Sequence, residues 1–129
     1  MSLRRVLATS TTATALAALT AVAVPATAEA SVIQICGVRS NGVLWCGNNA
    51  PTSIRNYPHT TDSWQVDTLR TTYSWFNCWT TGSLHAGGNR TWYKTTGDDH
   101  GASGFVPAAA VHTSSSFDAD PSAHGLRRC

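Results

Sequence analysis

Glutamate is almost missing from this chain: Glu29 is the only one in 129 residues. Cleavage of a glycosidic bond needs two opposed carboxyl groups, one with a raised pKa. Past residue 30 only aspartates remain for that work. Basic charge is sparse and scattered, with Lys94 the only lysine. Clustered positive charge is what tracks a phosphate backbone, so a nucleic-acid partner is not expected. Cys36, Cys46, Cys78 and Cys129 lack the short paired spacing of zinc sites, and no cofactor is expected. There is no long amphipathic pattern and no internal repeat. The apolar run ATALAALTAVAV, 13–24, is shorter than the ~20 residues that span a bilayer.

What is present begins with an export signal. Arg4 and Arg5 precede the apolar run, and Ala28-Glu29-Ala30 supplies small residues at the cleavage spacing. Residues 1–30 are predicted to be a secretory signal cleaved after Ala30, with Ala28 as the neighbouring alternative. The remainder is one small domain, expected to be secreted, monomeric and not inserted in the membrane. It carries seven Lys/Arg against six Asp, a net charge of +1 with His neutral.

An even cysteine count in an exported chain of this size predicts two disulfides, with three possible pairings. VIQICGVRSNGVLWCG, 32–47, reads as a hairpin whose loop is Ser40-Asn41-Gly42. Counting outward from Arg39 and Val43, Val38 faces Leu44, Gly37 faces Trp45, and Cys36 faces Cys46. A non-hydrogen-bonded pair brings their Cβ atoms within bridging reach. By elimination Cys78 pairs with Cys129, closing a loop of about 50 residues for roughly 4 kcal/mol. That bridge also ties down 114–129, a Ser/Asp/Pro segment with little to bury. The expected organisation is a signal at 1–30, a disulfide hairpin at 31–48, a β-domain at 49–113 and a tethered tail at 114–129.

The middle is a series of short β-type runs split by turn residues. Strands are predicted at 65–69, 72–80, 91–95 and 103–107, the last followed by a helical turn at 108–111. GSLHAGGNR, 82–90, and GDDHG, 97–101, are turns. Such spacing predicts a small all-β barrel or sandwich.

YSWFNCWTTG, 73–82, crowds four aromatic rings and a cysteine into one strand. Alternation puts Ser74, Phe76 and Cys78 on one face, and Tyr73, Trp75, Asn77 and Trp79 on the other. A structural cystine belongs inside, so Tyr73, Trp75 and Trp79 project outward. Either the hairpin or the tail covers them, or they form a platform for sugar rings, peptide prolines or bases, or a β-bulge swaps the two faces. Tyr57 and His59, on a long loop, are the second candidate surface. Trp64 and Trp92 are expected to be buried or half-buried.

The order of motifs resembles bacterial Src-homology-3-like domains. IRNYPHTTDSWQVDTL (54–69), FNCWTTG (76–82), TWYKT (91–95) and GASGFVPAAAV (101–111) follow that family's sequence of elements, over 49–113. The resemblance implies a five-stranded β-barrel that binds and does not catalyse, often by attachment to cell-wall peptidoglycan. Tyr57 replaces a common Gly, and Phe105 a common Trp. Ala110 replaces a Tyr that helps form the proline-peptide groove, which argues against that ligand.

Catalytic alternatives rest on His59, His85, His100 and His112 with Asp98 and Asp99. In GDDHG adjacent positions point in different directions, so no nucleophile, base and orienter follow from the spacing. The function expected is therefore a secreted, non-catalytic module for a cell-wall polymer or an extracellular peptide or protein. A secreted inhibitor or effector is the alternative, and a small His/Asp hydrolase the next.

Overall fold

A computed structural model describes residues 13–21 and 34–129. The chain divides into two compact units, Met1–Ser31 and Val32–Cys129. Most of the predicted signal lies outside the described residues. Its described part, 13–21, carries no regular element, and Leu16 and Leu19 are exposed. Among the described residues no helix is long and apolar enough to cross a membrane.

The second unit is predominantly β. Its strands are β1 (Gly37–Val38), β2 (Leu44–Gly47), β3 (Thr52–Arg55), β4 (Gln65–Leu69), β5 (Tyr73–Phe76), β6 (Cys78–Thr81), β7 (Thr91–Thr96) and β8 (Ser103–Pro107). They form two antiparallel sheets, ordered β1-β2-β5 and β4-β3-β8-β7-β6. In place of a five-stranded barrel beside a hairpin, the described residues hold eight strands, the hairpin's two among them, in two sheets. One source of the difference is the central aromatic run. It is predicted as one strand over 72–80, but it breaks at Asn77 and changes sheets there, as strands do at the corners of packed sheets. Asn77 N–H donates to Lys94 O at 3.0 Å, and Thr95 Oγ1 donates to Trp75 O at 2.8 Å. Both bonds hold the corner against β7. Thr52–Arg55 is a strand that the residue pattern did not single out.

The hairpin has the expected register. Gly37 pairs with Trp45 and Val38 with Leu44, Arg39 N–H donates to Val43 O, and Gly42 takes φ 79°. The Cys36–Cys46 and Cys78–Cys129 bridges are both present. The hairpin is no separate appendage, however. β2 pairs along the whole of β5, setting Leu44 opposite Phe76, Trp45 opposite Trp75 and Cys46 opposite Ser74.

One core serves both sheets. Leu44, Cys46, Ile54, Leu69, Phe76, Tyr93 and Val106 are buried together. The tail, expected to bury little, adds Phe117 and Leu126 to that core and buries Pro121 as well. It folds as α1 (Ser115–Ala119) and a 3-10 turn (Pro121–His124). Ser114 caps α1 by accepting from Phe117 N–H, and Asp120 accepts from Ala123 N–H at the next turn.

Polar anchors fix the tail and the 97–101 turn. Tyr93 OH donates to Asp118 Oδ1 at 2.5 Å, Thr113 Oγ1 donates to the same oxygen, and Thr91 Oγ1 donates to Asp118 O at 2.6 Å. Burial, and then the bond to Asp118, push the Tyr93 phenol far above its ordinary pKa. The Asp67 carboxylate gathers N–H groups from Thr68, Asp99, His100 and Ala102. Burial alone would raise its pKa, but these donors outweigh it and hold the carboxyl down at about 2. Gly97 makes room for this, since a Cβ there would clash with the Asp67 carboxyl group.

Candidate binding face

Alternation along 73–79 survives the break at Asn77. Ser74, Phe76 and Cys78 are buried, and Trp75 is 36% exposed on the opposite side. Cys78 therefore points inward as predicted. The outward aromatics then diverge. Trp79 lies under the tail: its N–H donates to Arg127 O, its carbonyl accepts from Cys129 N–H at 2.9 Å, and its indole N–H donates to Ser122 Oγ at 2.9 Å. Arg128 caps the ring 4.7 Å from its centroid. Trp79 is half-buried and separated by this cover from Trp75.

Trp75 instead faces its cross-strand neighbour Trp45, whose ring packs on Tyr73 at 5.6 Å between centroids. Arg39 lies 4.3 Å over Trp45, and Tyr73 OH donates to Ile35 O at 3.0 Å. The hairpin therefore extends this face and partly covers it: Trp45 and Tyr73 are half-buried, and Trp75 is the exposed ring. Trp45 was not among the residues singled out from the sequence. The available signal was Cys46: an inward half-cystine sends its neighbour outward. The pairing of β2 with β5, which brings Trp45 to Trp75, has no local trace.

A cleft of about 190 Å³ opens beside these rings. Tyr73, Trp75, Trp45, Thr71, Thr95 and Asp98 are among the residues that line it. It exceeds the ~150 Å³ cavity that accepts a benzene. Asp98 Oδ2 accepts from the N–H groups of Arg70 and Thr71, at 2.6 and 3.0 Å.

The second predicted surface is separate. Tyr57 and Trp64 are 56% and 65% exposed and meet edge-to-face at 6.4 Å. Trp64 thus departs from its expected burial. It sits just ahead of β4, in a loop closed by Asn56, where the strand period does not apply. His59 is exposed nearby, and its carbonyl accepts from Ser63 Oγ. Trp92 is buried as expected, its indole donating to Ser83 O.

The His and Asp residues do not converge. His85 is buried, with Gly87 N–H donating to Nδ1 and Nε2 donating to Thr91 O at 2.9 Å. His112 Nε2 bonds to Asn49 Oδ1. Asp99 is held by Arg70 at 2.6 and 2.9 Å, and those bonds lower its pKa. His100 uses its backbone N–H for Asp67. Among the described residues no three His, Cys, Asp or Glu side chains are grouped as a metal would need.

Comparison with protein-family models, curated proteins and solved structures finds no match to this chain.

Proposed function

We propose that the chain is an exported, non-catalytic binding module that associates with cell-wall peptidoglycan or its peptides through Trp75 and its neighbours. The observation that carries this reading is the exposed Trp75, flanked by half-buried Trp45 and Tyr73, beside a cleft. Flat rings there offer stacking area at little conformational cost. Two disulfides fit an oxidising compartment. The sheet β4-β3-β8-β7-β6, with a 3-10 turn at Ala108–Ala110 directly after β8, supports a Src-homology-3-like ancestry. The site is Tyr73 and Trp75 with Trp45. Trp79 contributes by anchoring the tail.

The test is co-sedimentation of the purified mature chain with insoluble peptidoglycan. The chain should pellet, and Trp75→Ala should weaken binding about 30-fold, as for an aromatic hot spot. Failure to pellet, or pelleting unchanged by Trp75→Ala, overturns the reading. A protein partner is the second reading, favoured by the exposed Tyr57–Trp64 pair. It would be sustained if Trp64→Ala, and not Trp75→Ala, abolished capture of a defined extracellular protein.

A further inference from the structure

The cleft beside Trp75 has an uneven hydrogen-bonding inventory. Asp98 spends Oδ2 on three protein donors: the backbone N–H groups of Arg70 and Thr71, and Thr71 Oγ1 at 3.3 Å. Its Oδ1 takes no hydrogen bond among the described residues. Thr95 Oγ1 gives its proton to Trp75 O. Thr71 Oγ1, donating to Asp98, receives Ser74 Oγ at 2.7 Å. The hydroxyl protons of Thr71, Ser74 and Thr95 are therefore directed into the protein, and Asp98 Oδ1 is left as an unused charged acceptor. Asp98 is the only charged side chain among the described residues that line it.

An ammonium group donates only. It is also drawn to the faces of Trp and Tyr rings. This aromatic group already holds one cation in that way, Arg39 over Trp45, and Trp75 remains open. We propose that the cleft binds an alkylammonium group, with Asp98 Oδ1 as its counter-charge and the Trp75 and Tyr73 rings around its methylene arm. The inference rests on the reading of this face as a binding surface and specifies which chemical group of the ligand is recognised. A free amine on a wall peptide and a lysine side chain on a protein share that chemistry.

The test follows the five indole N–H resonances while n-butylammonium, and separately the neutral n-pentanol, is added to the mature chain. The ammonium should shift the Trp75 resonance and bind at least about tenfold more tightly than the alcohol, as a charge-assisted hydrogen bond does. Asp98→Asn, which keeps the shape and an acceptor oxygen, should erase that preference. Equal response to both probes, or an unchanged preference in Asp98→Asn, overturns the proposal. The wild-type comparison decides the matter even if the variant folds poorly. Peptidoglycan with acetylated amines separates the sources. Lost sedimentation places the amine on the wall. Retained sedimentation alongside an Asp98-dependent ammonium site places it on a protein lysine. Sedimentation that needs Trp75 without any ammonium preference leaves the wall-binding reading standing and removes this one.

Discussion

Trp75 and Trp79 lie four residues apart on the same side of one β-run, yet one is open and the other roofed. Their direction comes from the same cause, the inward placement of Ser74, Phe76 and Cys78. Their difference comes from what each sheet meets. β5 is flanked by the hairpin, which pairs edge to edge, partly covers Trp45 and Tyr73, and leaves Trp75 exposed. β6 is crossed by the C-terminal tail, drawn over Trp79 by the Cys78–Cys129 bridge and a parallel bridge at Arg128. Alternation thus decides which way a ring points, and distant chain decides whether it is free to bind.

The strongest way to break that contrast is to cut the clamp. The double variant Cys78→Ser/Cys129→Ser should lose about 4 kcal/mol for a loop of this length, read by urea unfolding. In the folded fraction Trp79 should become as accessible to acrylamide as Trp75. If Trp79 stays protected, the disulfide is not what holds the roof.

Next in size is the apolar anchor of the tail. Leu126→Ala leaves a cavity under a fully buried side chain and should cost about 3 kcal/mol. A loss below about 1 kcal/mol would mean that the tail is not packed as described.

The two tryptophans themselves should then separate. Trp79→Ala should cost about 2 kcal/mol, because it removes packing and the Ser122 hydrogen bond. Trp75→Ala should cost under about 1 kcal/mol, as surface substitutions do. Equal costs would erase the distinction between an anchor and a platform.

The smallest effect is the response to acid next to the open cleft. The folded-state pKa of Asp67, about 2, lies below its ordinary 3.8. Folding therefore favours the ionised carboxylate, and its contribution is complete above the ordinary value and lost as the pH falls through about 2. The melting temperature should decline across that window, and Asp67→Asn should start lower and decline less. A variant with the same acid limb as the parent would show that Asp67 does not link pH to this turn.

What could be read in the sequence was local. The loop Ser40–Gly42 sets the hairpin register, and the register sets Cys36 against Cys46. The period of two along 73–79 assigns inside and outside, and it runs on through Asn77 unchanged. For that same reason the change of sheet there leaves no mark in the pattern. The partner of the hairpin and the cover of Trp79 were hidden because both are contacts between distant segments. The tail misleads by composition: Phe117, Pro121 and Leu126 are single apolar residues in a polar stretch, and only the fold gathers them. Trp64 misleads in the opposite way. Burial is expected of a Trp beside a strand, yet its loop carries it into solvent.

The central claim is that the open ring, not the roofed one, is the contact surface. It is tested most directly by adding soluble peptidoglycan fragments to the mature chain while following all five indole N–H resonances. The account predicts shifts at Trp75 and Trp45, with Trp79 and Trp92 unmoved. Shifts confined to Trp79 or Trp64, or no shift at any indole, would contradict it.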